Sequence, residues 1–337
     1  MVSQISRSGL VFTGAVLLAG CGSDSGANSP ADSGSKTPAP EAGASTTPST
    51  STGSFDSPLS GTTRVTFEMS GFDVPAGGEV YQCQNFKNPI GKDVDVLASQ
   101  SIMSKGSHHM FAFRYDKNED DSLEMCSGTE FHEYVHVAQA PNARITYPSG
   151  IGTFLGAQEG IRLQAHFLNT GSDTVHASVK VALDYVDSGQ VKYHAAQIFL
   201  NNGSLSVPPG KSSASATLAL PTSVGDIHLL NAQSHMHRQG VHFESTTGDG
   251  TPIYSSDSWN EPAPQTYDPP IALPSGSSIT WKCDYENPTS ATLTFGESAS
   301  TNEMCIFVGL YYPAPDGNGI TGDTRIKTTI LGQVPGQ

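Results

Sequence analysis

The chain is poor in several features that whole classes of protein require. Its 337 residues contain no run of 18 apolar residues, so no segment of the mature form is predicted to cross a membrane as a helix. Basic residues are scarce: 17 Lys and Arg stand against 32 Asp and Glu, and the net charge of −15 argues against nucleic-acid binding. Charged residues reach only 15%, whereas Gly (35) and Pro (22) are frequent. This composition excludes a helical bundle and favours many short strands separated by turns.

The N-terminal segment has the pattern of an export signal. Arg7 precedes a short apolar run, residues 10–18, and small residues then lead to Cys21. Residues 1–20 are therefore predicted to be a signal peptide. The sequence Leu18-Ala-Gly-Cys resembles a bacterial lipobox, which implies lipidation of Cys21 and anchoring at the bacterial cell envelope, on its periplasmic or cell-surface side. The alternative is an ordinary signal peptide in which Cys21 is incidental.

Residues 21–61 contain almost no bulky apolar side chain. Beyond Cys21 they are mainly Ser, Thr, Pro, Gly, Ala and Asp, with Phe55 and Leu59 as exceptions. Such a segment cannot bury enough apolar surface to offset the entropy of ordering. It is predicted to be a disordered linker that holds the body away from the membrane.

The remaining four cysteines lie in the body of the chain and lack the close C-x-x-C spacing of zinc sites. An even number of cysteines in an exported chain predicts two disulfides. Three pairings are possible. Cys83–Cys126 with Cys283–Cys305 is the economical one, because two cysteines fall in each half of the body. A four-cysteine zinc site is the alternative.

Residue 62 begins a region that is predicted to be all-β. Alternating apolar runs of strand length recur to the end of the chain, separated by turn clusters such as Asn201-Asn-Gly. This pattern is typical of β-sandwiches or barrels. A boundary near Ser188-Gly189 divides the body into 62–188 and 189–337, each large enough for its own core.

The eleven histidines are concentrated in a few motifs. His235 and His237 form an H-x-H, whose side chains share one face of a strand and can hold one metal ion. His108 and His109 are adjacent, so both can ligate only if the strand twists or if they use different ring nitrogens. His166 lies in an alternating strand. The alternative for such motifs is a pair of surface histidines.

The dipeptide Met304-Cys305 adds a more specific signal. If Cys305 turns toward the core, Met304 must face the other way. A thioether is a soft ligand, and softness selects copper, especially Cu(I). The alternative is a methionine that only packs.

Together, four motifs resemble the type II, ascorbate-dependent copper monooxygenases, the family of peptidylglycine α-hydroxylating monooxygenase and dopamine β-monooxygenase. The resemblance extends over residues 62–332 and implies two tandem antiparallel jelly-roll-like β-sandwich domains with a solvent-filled cleft between two coppers. The motifs, in family order, are Ser107-His-His-Met-Phe-Ala-Phe, Leu163-Gln-Ala-His-Phe, His235-Met-His and Glu303-Met-Cys-Ile-Phe-Val-Gly-Leu-Tyr-Tyr-Pro.

The resemblance also implies ligands, co-substrates and disulfides. The first copper site would consist of His108, His109 and His166, and the second, catalytic site of His235, His237 and Met304. Each chain would bind two copper ions and use O2 with ascorbate or another one-electron donor. Both the Cys83–Cys126 and Cys283–Cys305 disulfides match the family. Gln164 shares a strand face with His166 and is predicted to support the first site.

Three positions depart from the peptide-hydroxylating branch. Gln233 stands where that branch has an arginine for the substrate carboxylate, and Ile306 and Val308 replace an asparagine and a tyrosine. A peptide with a C-terminal glycine is therefore not the expected substrate. We predict a small or moderately apolar molecule whose C–H bond rests against the row Met304, Ile306, Val308 and Leu310.

The sequence thus predicts an exported, monomeric body that is a copper monooxygenase acting on a small organic molecule. Two alternatives are a surface lipoprotein that binds copper without turnover and a β-sandwich scaffold with incidental histidines. All six ligand positions are filled, which a scaffold would not need.

Overall fold

Short strands make up nearly all the regular secondary structure of the protein. The computed structural model describes residues 53–126, 128–130 and 132–330. The predicted signal peptide, Cys21 and most of the predicted linker lie outside the described residues. Within them there is no α-helix, only the 3-10 helices Thr222–Val224 and Pro315–Gly317. No helix among the described residues is long and apolar enough to cross a membrane. The predicted all-β fold is confirmed.

Thirteen strands precede residue 195 and form three sheets. A six-stranded sheet has the order β1-β12-β4-β9-β13 with β8 paired to β4, a five-stranded sheet has the order β6-β3-β10-β5-β7, and β11 pairs with β2. The strands are β1 Thr63–Glu68, β2 Phe72–Val74, β3 Glu79–Phe86, β4 Val94–Met103, β5 Ser107–Tyr115, β6 Glu124–Met125, β7 Tyr134–Ala138, β8 Asn142–Thr146, β9 Ile151–Leu155, β10 Gly160–Leu168, β11 Val175–Ala177, β12 Val179–Asp187 and β13 Tyr193–His194.

Twelve further strands form the rest of the body. A six-stranded sheet has the order β20-β17-β23-β14-β24-β25, a four-stranded sheet has the order β16-β21-β18-β19, and β15 pairs with β22. The strands are β14 Ala196–Asn201, β15 Ser206–Val207, β16 Gly210–Ala219, β17 Ile227–Met236, β18 Gly240–Thr247, β19 Pro252–Ser256, β20 Gln265–Leu273, β21 Ser278–Asn287, β22 Leu293–Thr294, β23 Cys305–Tyr312, β24 Ile320–Asp323 and β25 Lys327–Ile330.

We call β1–β12 the first half and β14–β25 the second half. Each half has its own apolar core between its sheets. A third apolar cluster contains side chains of both halves, among them Phe111, Phe113, Phe199, Met304 and Val308. β13 lies beyond the predicted boundary at Ser188-Gly189 yet pairs in parallel with β9. The division into two domains therefore stays a prediction.

The end of the predicted linker makes ordered contacts with the first half. Leu59 donates its backbone N–H to Asp184 at 3.0 Å, and Asp56 donates to Gln100 at 3.0 Å. Arg64 binds Asp184 through its guanidinium at 2.6 Å. The end of the segment predicted to be a disordered linker, up to residue 61, is therefore held against the first half.

Both predicted disulfides, Cys83–Cys126 and Cys283–Cys305, are present, which confirms the pairing. Cys283–Cys305 is one of several contacts that fix the segment Met304–Cys305 to strand β21. On one face of β21, Trp281 donates its indole N–H to the Cys305 carbonyl at 3.0 Å, and the Tyr285 hydroxyl donates to the Met304 carbonyl at 2.8 Å. Alternate residues of a strand share a face, so three β21 side chains hold the segment Met304–Cys305.

Candidate metal centre

His108, His109 and His166 meet because the sheet is irregular at this point. β5 and β10 pair His109 with His166 and Ser107 with Phe167, which leaves His108 as the extra residue of a β-bulge. A bulge bends the strand and re-aims its side chains. The two adjacent histidines thereby turn into one group, and the ligand nitrogens of His108, His109 and His166 lie within 4.8 Å of one another.

A carboxylate fixes the orientation of His166. Its Nε2 donates to Glu79 Oε1 at 2.9 Å, and its ring stacks on Tyr81 at a centroid distance of 3.9 Å. Glu79 also accepts hydrogen bonds at 2.7 Å from Ser298 and from the Ala299 N–H. Burial acts to raise the pKa of Glu79, but these hydrogen bonds lower it to about 2. Nδ1 of His166 is left buried and unpartnered, free to bind a metal.

His235 and His237 share one face of β17 and its end. The register pairs His235 with Ile306 and Met236 with Cys305 on β23. Continued by one residue, it places Met304 opposite His237, so both histidines and Met304 share one face of the sheet. Met236 and Cys305 pack in the core of the second half, on the other face. This arrangement confirms that Met304 and Cys305 point in opposite directions.

Each histidine of this pair is oriented through its Nδ1. His235 donates Nδ1–H to Gln139 Oε1 at 2.5 Å, and Gln139 donates its own amide to the Ser234 carbonyl at 2.8 Å. His237 donates Nδ1–H to the Asn302 carbonyl at 3.2 Å. Both rings therefore present Nε2 as the free nitrogen. Supporting bonds of this kind are typical of metal-binding histidines.

Glu303 stabilises the turn that follows the H-x-H. Its carboxylate accepts backbone N–H groups from His237 at 3.1 Å, Gln239 at 2.7 Å and Met304 at 3.2 Å. Burial raises the pKa of Glu303 to about 7, although these hydrogen bonds act to lower it. One side chain thus links the ends of the two strands that carry His235 and Met304.

The two histidine groups adjoin, which differs from the solvent-filled cleft expected from the family. His108 lies 5.0 Å from His235 and 5.7 Å from His237, measured between ring centroids. His108 is therefore a member of both possible ligand groups, one with His109 and His166 and one with His235 and His237. The cross-half contacts of Gln139 and Glu79 hold the halves together here.

Burial makes all five rings neutral ligands. It lowers the pKa of His108, His109 and His235 well below the usual value, with a further contribution from neighbouring histidines, and lowers the pKa of His237 to about 4. A buried nitrogen without a hydrogen-bond partner remains on four of the rings: His108, His109, His166 and His237. Unpaired buried polar atoms are costly, and a metal ion would satisfy them. The donor set of imidazoles with a nearby thioether fits copper.

A narrow crevice lies beside these ligands. His109, His235 and Met304 line it together with apolar side chains such as Phe199 and Ile306, and its volume is about 20 Å³. A single water needs at least roughly 10–15 Å³ of such space. The crevice therefore admits only a small molecule or one end of a larger one.

The predicted supporting residues have separate positions. Gln164 donates to the Gly128 carbonyl at 2.8 Å and accepts the Glu130 N–H at 3.1 Å, so it holds the loop after Cys126 and bonds to no histidine. Gln233 donates to the Pro262 carbonyl at 2.6 Å and lines a second, larger cavity. Ile306 and Val308 line the crevice, as the apolar row predicted.

The contacts of Gln139 and Glu79 with the histidines were not predicted from the sequence. Gln139 lies 96 residues from His235 and Glu79 lies 87 residues from His166, and no local pattern connects them. Glu303 is the first residue of the motif that contains Met304, and its position next to Met304 was the available signal.

Residues 200–322 match the family model described as copper type II ascorbate-dependent monooxygenase, C-terminal domain. This match supports the resemblance to the copper type II ascorbate-dependent monooxygenase family in the second half of the chain. The matched region contains His235, His237 and Met304, whereas His108, His109 and His166 precede it. A search among curated proteins found no match.

Two solved structures of viral proteins are distantly similar to this chain. The major capsid protein P2 from bacteriophage PM2 aligns with a TM-score of 0.30 and 9% identity, over 75% of this chain and 98% of that chain. A structure of infectious bursal disease virus, Gx strain, gives a TM-score of 0.15 and 9% identity, over 85% and 89%. Neither similarity supports a functional conclusion.

Proposed function

We propose that the chain is a copper-dependent monooxygenase that hydroxylates a C–H bond of a small organic substrate, using O2 and ascorbate or another one-electron donor. The observation that carries the proposal is the group of five buried, neutral histidines next to Met304, four of which have a buried ring nitrogen without a hydrogen-bond partner. The family of the second half supports the same chemistry.

Two copper ions per chain are proposed, one at His108, His109 and His166 and one at His235, His237 and Met304. Copper would supply electron transfer and the activation of dioxygen. Five of the six side chains are imidazoles, which bind both oxidation states of copper. The sixth, the thioether of Met304, favours Cu(I).

The surrounding residues position these ligands and exclude water. Glu79 and Gln139 hold His166 and His235 in the tautomers that leave one nitrogen free. Apolar walls around the crevice keep bulk water from the reacting C–H bond. Ile306 and Val308 would hold that bond near Met304.

A non-catalytic copper-binding lipoprotein is the second candidate. The small volume of the crevice favours it, because a substrate of more than a few atoms cannot enter without movement of its walls. Such a protein would bind copper and exchange electrons with ascorbate without consuming O2 in step with any organic compound.

Oxygen uptake distinguishes the two candidates. Copper-loaded protein would be assayed with ascorbate against a library of small neutral and charged compounds, with metal-free protein as the control. A monooxygenase should show uptake that depends on one class of compound, with a hydroxylated product detected by mass spectrometry. Uptake that no compound stimulates would favour the copper-binding candidate.

Export and lipid anchoring through Cys21 are proposed on the sequence alone. Mass spectrometry of the protein purified from a bacterial membrane fraction should find a diacylated N-terminal cysteine. The Cys21→Ser variant should then appear in the soluble fraction. An unmodified N-terminus at another residue would support an ordinary signal peptide.

A further inference from the structure

A second cavity, of about 250 Å³, lies between the β7–β8 region of the first half and strands β17 and β23 of the second half. We call it the interhalf cavity. It shares Val137, Gln139 and Val308 with the crevice beside the histidines. The two spaces are therefore separated only by side chains.

The apolar row of β23 leads from one space to the other. Leu310 and Val308 line the interhalf cavity, and Val308, Ile306 and Met304 line the crevice. Alternate residues of a strand point to one face, so the row forms a continuous apolar track. A molecule held in the cavity would therefore contact Leu310 and Val308, on the same row as Met304.

The charge of the lining restricts what can bind. Among the described residues, the only charged side chain that lines the cavity is Arg144. Arg144 donates to Asp184 at 3.2 Å and to Gln100 at 3.3 Å, so its charge is already paired. A carboxylate or an ammonium group would lose its hydration without gaining an opposite charge, which is costly.

Most amide groups of the lining are also committed. Asn231 Oδ1 accepts the Leu310 N–H at 2.9 Å, and Gln233 donates to the Pro262 carbonyl at 2.6 Å. Gln139 uses its oxygen for His235 and its amide for Ser234. These groups shape the cavity but have their main hydrogen bonds in place.

Tyr134, in contrast to these amide groups, has a hydroxyl that is not engaged in a hydrogen bond with any described residue. Its side chain is 5% exposed, it lines the cavity, and its hydroxyl has no hydrogen-bond partner among the described residues. Burial raises its pKa well above the usual value, and Tyr147 and Glu133 act in the same direction, so the hydroxyl keeps its proton. A buried hydroxyl without a partner costs free energy that a ligand can recover.

We propose that the interhalf cavity binds an uncharged, mainly apolar substrate and that the Tyr134 hydroxyl pairs with one hydroxyl or carbonyl group on it. The substrate class follows from the paired charge of Arg144, the hydrogen bonds that the lining amides already make and the buried, unpartnered hydroxyl of Tyr134. The volume lies below the ~300–1,000 Å³ of pockets for drug-sized ligands, so the substrate is a small molecule. This inference rests on the proposed monooxygenase function and names its substrate class.

Four probes with the same aromatic body test the proposal: 2-phenylethanol, ethylbenzene, 2-phenylethylamine and phenylacetate. Binding to the metal-free full chain would be measured by ligand-observed NMR and calorimetry, so that the result does not depend on turnover. We expect 2-phenylethanol to bind about 5- to 10-fold more tightly than ethylbenzene, as one net hydrogen bond implies. The amine and the acid should bind at least about 10-fold more weakly than the alcohol.

Tyr134→Phe should lower the affinity for 2-phenylethanol to that for ethylbenzene and leave ethylbenzene unchanged. Tyr147→Phe is the matched control, since Tyr147 lines the same cavity and its hydroxyl already interacts with Thr153. Equal loss for both compounds, tighter binding of the amine or the acid, or no binding of any probe would overturn the proposal. If 2-phenylethanol binds as expected but copper-loaded protein shows no ascorbate-dependent oxygen uptake with it, the cavity assignment stands and the monooxygenase function fails.

Discussion

His108, His109 and His166 come from two neighbouring strands of one sheet, whereas His235 depends on a residue of the other half. A β-bulge assembles the first group locally, and Glu79 on the adjacent strand β3 orients His166. The second group needs Gln139 from the first half, and His108 is its nearest additional imidazole. The first group is thus built into one sheet, while the second is completed only when the halves are in contact.

Met304→Ile should abolish turnover while copper stays bound. His235 and His237 still offer two imidazoles, which bind both oxidation states of copper, but the soft ligand that favours Cu(I) is lost. Copper content after Cu(II) loading should remain near the wild-type value, and ascorbate-dependent oxygen uptake should fall by more than about 100-fold.

The matched control for this change is Met69→Ile. Met69 is also buried, with 2% of its surface exposed against 4% for Met304, but it packs in the core of the first half. If Met304→Ile kept full activity, Met304 would be only a packing residue and the second copper site would lose its most specific ligand.

Copper stoichiometry tests whether the two sites share His108. Wild-type protein should bind two copper ions per chain, and His108→Ala and His235→Ala should each bind about one. When His108 is removed, the second proposed site still has His235, His237 and Met304 and should keep its copper ion. Elemental analysis of the loaded proteins measures this directly. A His108→Ala protein empty of copper would mean that His108 is a ligand in both groups.

Gln139→Leu should weaken the second site and leave the first one intact. The change removes the acceptor that holds the Nδ1–H of His235, and loss of such a support typically costs ~10–100-fold in metal affinity. Gln139→Glu retains an acceptor oxygen and should recover most of the affinity. Copper titration followed by EPR separates the two sites. Equal weakening of both sites would contradict the local assembly of the first group.

The two disulfides should differ in their effect on the sites more than in their effect on stability. The double variants Cys83→Ala/Cys126→Ala and Cys283→Ala/Cys305→Ala should each lower the free energy of unfolding by about 2–5 kcal/mol. Cys83–Cys126 joins residues 43 apart in sequence and Cys283–Cys305 joins residues 22 apart. Because the longer loop costs more entropy to close, loss of Cys83–Cys126 should lower the free energy of unfolding by only ~0.6 kcal/mol more.

Copper binding at the second site should nevertheless suffer more from loss of Cys283–Cys305, because Cys305 is the neighbour of Met304. Denaturant unfolding and copper titration of both variants measure the two quantities. A second site that is undisturbed without this disulfide would show that Trp281 and Tyr285 alone hold the Met304–Cys305 segment.

Local patterns predicted the strands but not the residues that orient the histidines. Strand β10 follows its alternating apolar sequence, and the H-x-H shares a face as a strand requires. His108 and His109 were expected to need a distortion, and the β-bulge supplies it. The contact of Gln139 with His235 depends on how two halves meet, which strand periodicity does not encode. The closeness of the two histidine groups has the same origin.

The contact between the halves should also make stability depend on pH, through Glu133. Its carboxylate accepts the Gly319 N–H from the second half at 2.9 Å. Burial raises its pKa to about 7, although Gly319 and Arg114 act to lower it. The folded state therefore binds this proton more tightly than the unfolded state, whose carboxyl has a pKa near 4.5.

Because of this difference, the stabilising effect of the proton is complete below about pH 4.5 and is lost as the pH rises to about 7. The loss amounts to about 3 kcal/mol, at ~1.4 kcal/mol per pKa unit. Glu133→Gln stays neutral and keeps an oxygen for Gly319, so it should be more stable than the wild type at pH 8 and differ much less at pH 5. Denaturant unfolding at both pH values gives the comparison. A variant with the same loss of stability between pH 5 and pH 8 as the wild type would show that Glu133 is not the group that couples protonation to the contact between the halves.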